Sequence, residues 1–450
     1  MIPIVTPAEM GAIDRAAPEP VEVLIGRAGA ATARAALRML GGGYGRRVAV
    51  LAGPGNNGHD GRDAARRLAR RGVRVVVHEL GDLPARIDGV DLVVDAALGT
   101  GARPGFDAPQ VAAGIPVLAV DLPSGVDGLT GEAGDGVLAA DRTVTFAALK
   151  PGLLLGRGRE LAGAVEVADI GLDTTAARAH LVTDADVARL VPSRPTDAHK
   201  WHAAVWVVAG SPGMTGAAHL TARAAQRAGA GYVRLSTPGL DDDPGRPTEA
   251  VGTPLPSDGW ADAVLADAER FRALALGPGL GRASDTADEV RRLLGALETP
   301  VVVDGDGLHA LGDDPAAVLA DRPGPTVLTP HDGEAQRLLG HPVPADRLDA
   351  GRGLAARTGS VVLLKGPTTV VAGPDGRALV VTAGDARLAT AGTGDVLTGV
   401  VAALLAVGTD PLGAAAAGAH LHGRAGVLGF PRGLVAGDLP DLLPHAFPQT

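Results

Sequence analysis

The chain has 450 residues, 46% hydrophobic and 20% charged, with a formal net charge of −10. That length fits about three domains of average size or two larger ones, each able to bury a substantial core. The acidic balance argues against nucleic acid as the main partner, and the absence of cysteine excludes disulfides, thiolate catalysis and thiolate metal sites.

Aromatic residues are scarce, so the cores are expected to be built from Val, Leu and Ala. The opening stretch MIPIVTPAEMGAIDRAAPEP has no basic start followed by an apolar run, so no secretory signal is expected. The longest apolar span, 396–408, is too short to cross a bilayer. A cytoplasmic protein without membrane association is the expectation.

In chain order, an amphipathic helix is expected over 22–40, then a strand over 48–52 running into GPGNNGHDG (53–61). A helix carrying Ala64, Ala65, Leu68 and Ala69 follows, and further strands over 73–77, 92–96 and 116–120. These short, unalternating runs read as strands buried on both faces of a parallel, doubly wound α/β sheet. Ligands of such sheets bind beyond the carboxyl ends of the strands, where GTGARPG (99–105) and DLPSGVDG (121–128) lie. Asn56 and Asn57 offer amide donors and acceptors there, and Asp60 either binds a ligand or caps the helix. Asn57, Asp95 and Ser124 form an all-oxygen set suited to a hard cation, with too few carboxylates for a divalent ion. Asp121 is either an acid/base group at a strand end or a turn residue.

The polar segment VPSRPTDAHK (191–200) marks the expected junction, giving domains 1–190 and 191–450. His199, Lys200 and Trp201 there read equally as a ligand-facing cluster or a packed linker. Beyond it come a strand over 204–209, the loop GSPGMTG (210–216), a helix over 217–228 and strands over 233–236, 273–276, 301–304, 327–329 and 361–364. Strand-end loops follow at GPGLG (277–281), DGDG (304–307), TPHDGE (329–334) and KGPTT (365–369). His331 could bond a substrate or cap the helix that follows, and Lys365 could pair with a nucleotide phosphate or reach solvent. In TAGTGDVLTG (390–399), Gly392 and Gly394 flank Thr393 at a helix start, with Asp395 in the first turn. Unpaired N–H groups and the helix dipole make such a turn a seat for phosphate or an oxyanion. A carboxylate in that seat suits proton abstraction during phosphoryl transfer.

The motifs, taken together and in order, resemble a known family: NAD(P)H-hydrate epimerases fused to ADP-dependent NAD(P)H-hydrate dehydratases. GPGNNGHDG, VVDAALGTGARP, DLPSGVDG and TFAALKPG carry the first half. AHKW, GSPGMTGAA, GPGLG, VVVDGDGL, LTPHDGEAQRLLG, LLKGPTT, ATAGTGDVLTG and HLHGRAG carry the second. The resemblance implies a Rossmann-like amino-terminal domain and a ribokinase-like carboxy-terminal domain. The first would interconvert the R and S epimers of hydrated NADH or NADPH, and the second would dehydrate the S form at the expense of ADP, giving AMP and phosphate. Implied substrate contacts of the epimerase are Asn56, Asn57, Gly58, His59, Asp60, Gly99, Thr100, Gly101, Ala102, Arg103, Pro104, Gly105 and Asp121, the last catalytic. Its implied potassium ligands are Asn57, Asp95 and Ser124. In the dehydratase Asp395 would be the base, and Ala217, Gly279 and His331 would line the hydrate pocket. Lys365, Gly366, Pro367, Thr368, Thr369, Gly392, Thr393 and Gly394 would hold the nucleotide with Mg²⁺. A homo-oligomer is compatible with this reading. His59 stands where the family has a second glycine; a β-carbon there would be strained if φ were positive. LIGRAG (24–29), DGDGLH (304–309) and WHAAV (201–205) also depart from the family pattern. A ribokinase-like kinase acting on a vitamin precursor, with a non-catalytic amino-terminal binding domain, is the alternative.

Overall fold

The computed structural model describes residues 1–100 and 106–448. The chain divides into two compact units, one of residues 2–179 and one from His180 onward. This division precedes the expected 190/191 boundary for a physical reason. Val182 donates its N–H to Val380 O at 3.0 Å, and the helix Asp184–Leu190 packs on the helix Pro411–Leu428, so this stretch belongs to the second unit.

In the first unit six strands lie side by side in the order Arg74–Glu79, Arg47–Ala52, Leu92–Ala96, Val117–Val120, Arg142–Phe146, Ala164–Ala168, all parallel. Successive residues face opposite sides. Val48, Val50, Val94, Leu118 and Val120 meet the helices Val21–Leu40 and Asn56–Ala69, while Ala49, Leu51, Val93, Val117 and Ala119 meet a second layer with Ile87 and Phe106. Both faces are covered, which is why these strands read as unbroken apolar runs. The run at 73–77 does not fit that expectation. Its strand, Arg74–Glu79, is the sheet edge, and Val76 and Val77 are exposed. Every strand here leads into the next through a crossover, so the turn at 53–55 and the loops after Ala96 and Val120 gather at one end of the sheet.

The second unit orders its strands as Ala378–Val381, Thr369–Ala372, Val361–Leu364, Thr326–Leu328, Val301–Val303, Ala273–Leu276, Ala204–Val208, Tyr232–Ser236 and Val251–Gly252. Pairing is parallel from Val361–Leu364 onward and antiparallel in the Thr369–Ala372 and Ala378–Val381 hairpin. The alanine-rich helices Gly216–Arg227, Thr393–Ala406 and Pro411–Leu428 build its largest core against the sheet. Each fully buried Val or Leu there contributes roughly 1.5–3 kcal/mol. Trp201 packs at a tilt on Tyr232 at 4.5 Å and edge-on against Phe271 at 5.9 Å, and Lys200 lies over the Tyr232 ring. Trp201 is thus packed against aromatic neighbours, while His199 and Lys200 remain exposed. Among the described residues no helix is long and apolar enough to cross a membrane.

Candidate active sites

The first unit holds a cavity of about 500 Å³ at the carboxyl ends of its strands, lined by Asn56, Asn57, Asp60, Gly99, Thr100, Asp121 and Lys150 among others. The helix Asn56–Ala69 starts inside the glycine-rich segment, so the asparagines occupy its first turn. Gly58 allows that start to press on the preceding turn, since a β-carbon there would sit 1.8 Å from Gly53 O. His59 lies within the helix and is exposed, so left-handed strain does not arise and the imidazole does not line the cavity. Gly101, Ala102, Arg103, Pro104 and Gly105 lie outside the described residues.

Asp121 follows the strand Val117–Val120 with φ 65°, one of two non-glycine residues with positive φ among those described. Such a backbone costs on the order of 1–3 kcal/mol and marks a position fixed by its surroundings. Its Oδ1 accepts from Lys150 Nζ at 2.5 Å and Thr145 Oγ1 at 2.9 Å. Burial, seconded by the nearby Asp121, pushes Asp60 up to about 8. Burial also raises Asp14, with Lys150 opposing and Asp121 adding. The cavity therefore sets a carboxylate paired with a cation beside a carboxylic acid, the separation that acid–base chemistry uses. Lys150, Thr145 and Asp14 were not singled out from sequence.

Beside this cavity Ser124 Oγ donates to Asp95 Oδ1 at 2.6 Å and Ser124 N to Asp95 Oδ2 at 2.8 Å. Asn57 Nδ2 donates to Leu98 O at 2.7 Å, while Asn57 Oδ1 is buried without a hydrogen-bond partner. The expected cation set thus sits around the Leu98 turn, with one orphaned acceptor.

In the second unit the helix Thr393–Ala406 begins at Gly392, whose φ of 89° and lack of a side-chain cap leave the first-turn N–H groups exposed to a ligand. A β-carbon on Gly392 would meet Leu220 Cδ1 at 2.7 Å, and one on Gly394 would lie 3.5 Å from Lys365 Nζ and 3.7 Å from Asp304 Oδ2. Asp395 is pushed up to about 6, first by burial, then by Asp304 and against Lys365. Lys365 Nζ is bound to Asp304 Oδ1 at 2.8 Å, and Thr398 Oγ1 donates to Asp304 Oδ2 at 2.8 Å. Burial alone would lower Lys365, but Asp304, Glu334 and Asp395 outweigh it and raise it. The ammonium is therefore held beside the turn by the Asp304 carboxylate. Thr393 Oγ1 likewise turns inward, to Leu388 O and Thr390 O, so its main chain is what the cradle presents. Gly366 and Pro367 are exposed beside the cradle, Thr368 is buried, and Thr369 opens the next strand.

Gly279 and Ala217 are adjacent, a β-carbon on the glycine falling 3.3 Å from Ala217 Cβ. His331 Nδ1 caps the helix Asp332–Leu339 by accepting from Gly333 N and Glu334 N. Glu334, 3.5 Å from His331 Nε2, lies 3.9 Å from Lys365 Nζ, which links His331 to that lysine. Asp304, the charge that ties Lys365 to Thr398, was legible only as a strand-end acid. Buried His422, pushed down to about 4 by burial, contacts the Thr393 main chain behind the turn. Among the described residues no group of three or more His, Asp or Glu is arranged to hold a metal ion.

Residues 205–449 match the family described as NAD(P)H-hydrate dehydratase, and residues 21–87 and 79–152 match the YjeF-related protein N-terminus. The chain is 38% identical to the bifunctional NAD(P)H-hydrate repair enzyme Nnr of Moorella thermoacetica, an alignment spanning 98% of this chain and 96% of that protein. It is 35% identical to the enzyme of that name from Escherichia coli, over 87% and 83%. The crystal structure of ADP/ATP-dependent NAD(P)H-hydrate dehydratase from Bacillus subtilis, co-crystallised with ATP and Mg²⁺, aligns with a TM-score of 0.50 and 33% identity, over 59% of this chain and 96% of that one. A ribokinase-like superfamily protein from Enterococcus faecalis shares the fold, with a TM-score of 0.53 and 22% identity over 60% and 95%.

Proposed function

Because the chain belongs to the family of bifunctional NAD(P)H-hydrate repair enzymes, we propose that it restores hydrated NADH and NADPH, epimerising them in the first unit and dehydrating the S form in the second. The observation that carries the dehydratase assignment is Asp395, in the first turn of an uncapped helix, electrostatically coupled to Lys365 and Asp304. Asp395 takes the proton from the C6 hydroxyl as that oxygen bonds to the β-phosphorus of ADP and AMP departs. The main-chain N–H groups of Gly392, Thr393 and Gly394 hold the phosphoryl oxygens. Loss of the C5 proton and of phosphate from C6 then restores the double bond. Lys365 acts as a fixed cation beside this cradle, and Gly366, Pro367, Thr368 and Thr369 border the nucleotide.

Among the described residues no group of three or more His, Asp or Glu is arranged to hold a metal, so Mg²⁺ would enter with the nucleotide and supply charge against its phosphates. In the first unit Asp121 is the base and Asp60 the acid of epimerisation. Asn57 Oδ1, orphaned and buried beside Asp95 and Ser124, fits a potassium ion, which would supply positive charge next to the cavity. The substrates are small molecules, and the cysteine-free composition accords with a cytoplasmic location.

Supplying purified S-hydrate with ADP tests the reading. NAD(P)H, AMP and inorganic phosphate should form in equal amounts. A stable phosphoester would instead mark a kinase, and no ADP-dependent loss of the S form would end the assignment.

A further inference from the structure

The floor of the amino-terminal cavity rests on a cation that spends every donor on the protein. Lys150 is 1% exposed. Its Nζ donates to Asp121 Oδ1 at 2.5 Å, Thr145 Oγ1 at 2.9 Å and Phe146 O at 3.1 Å, which exhausts the three hydrogens of an ammonium. Thr145 Oγ1, accepting from Lys150, donates its own hydrogen bond to the same Asp121 oxygen at 2.9 Å. Asp121 N donates to Val144 O at 2.7 Å, which holds the residue in its left-handed backbone conformation. Both side-chain bonds fall on Oδ1. Asp121 lines the cavity, so Oδ2 is the oxygen left to face a ligand.

We propose that Lys150 is a positioning residue for epimerisation: it anchors one oxygen of Asp121 so that the other is aimed at the C6 hydroxyl of the hydrate. The inference rests on the epimerase reading of this cavity. C6 of the hydrate bears both the hydroxyl and the ring nitrogen. When Asp121 Oδ2 removes the hydroxyl proton, C6=O forms, the C6–N1 bond breaks, and the nitrogen takes up a proton from the cavity acid. Rotation about C5–C6 and closure on the opposite carbonyl face return both protons and give the other epimer. No oxidant, reductant or further reactant is needed. Lys150 touches no reacting atom, and a carboxylate without this anchor would be free to turn away from the hydroxyl.

The experiment follows R-hydrate converting to S-hydrate by chromatography, on the full chain without ADP, with the spontaneous rate subtracted. Lys150→Met should lower kcat about 100-fold while KM stays within about threefold, because substrate contacts remain. Thr145→Val, isosteric and so tolerated by the fold, should lower kcat about tenfold with the same unchanged KM. If Lys150→Met fails to fold, Thr145→Val decides. A wild-type chain that does not interconvert the epimers defeats the epimerase reading itself. An active wild type whose variants keep kcat, or lose activity through KM, overturns the positioning role alone.

Discussion

Asp395 is asked to be buried and yet to accept a proton, and its position near 6 reflects that conflict. As a base it works only when ionised. The kcat/KM for ADP-dependent dehydration should therefore rise as pH increases through about 6 and level off above it. The stability effect has the opposite sign. A carboxyl raised in the folded state contributes stability below its unfolded value of 3.8, and that contribution is lost as pH rises through about 6. Asp395→Asn should consequently lower kcat by at least about 100-fold while raising stability at neutral pH by on the order of 2 kcal/mol. Denaturant unfolding and turnover of the same preparation read both. Asp60 behaves alike at higher pH: if it must be protonated to act, epimerisation should fall as pH rises through about 8. Asp60→Asn should slow the epimers' exchange and leave the ADP-dependent step intact.

At the scale of elements, glycine at each helix start admits a close neighbour, the Gly53 carbonyl at Gly58 and the Leu220 side chain at Gly392. Gly58→Ala would drive a β-carbon to within 1.8 Å of Gly53 O, so the helix Asn56–Ala69 must shift. We expect a loss of about 1–3 kcal/mol in thermal or denaturant unfolding, with epimerisation falling further than stability alone accounts for. The strands Leu92–Ala96, Ala273–Leu276 and Val361–Leu364 were legible to the residue, because Val, Leu and Ala runs buried on both faces are bounded by polar loops. RTVTF, the strand Arg142–Phe146, carried too mixed a pattern, and the hairpin Thr369–Ala372 with Ala378–Val381 was hidden by its short runs. An apolar run does not say how many neighbours it has, which is why the edge strand Arg74–Glu79 was expected inside the sheet. The loop acids were visible as strand ends. Lys150 was not, since its partner Asp121 lies 29 positions away and only the fold brings them together. For Lys365 the sequence offers a phosphate partner or solvent, while its ion pair with Asp304, 61 positions earlier in the chain, is visible only in the fold.

At the scale of the whole molecule, each unit has its own core, and the two family matches fall one on each unit. The Bacillus subtilis dehydratase chain aligns over 96% of its length with only 59% of this one, and the dehydratase family match, residues 205–449, falls within the second unit. A fragment beginning at His180 should therefore fold, bind ADP and consume S-hydrate while leaving R-hydrate to its spontaneous rate. Aggregation of that fragment, or enzymatic loss of R-hydrate from it, would show that the division of labour is drawn in the wrong place.

Two reactions are assigned to two separate sets of side chains, Asp121 with Asp60 and Asp395 with its helix start. The direct measurement supplies pure R-hydrate and ADP to the full chain and to its Asp395→Asn variant, following both epimers, NAD(P)H and phosphate over time. The wild type should carry all the R form through S to NAD(P)H with one phosphate each, whereas the variant should bring R and S to equilibrium and stop. Formation of NAD(P)H by the variant at the wild-type rate, or R-hydrate left unconverted by both proteins, would contradict that assignment.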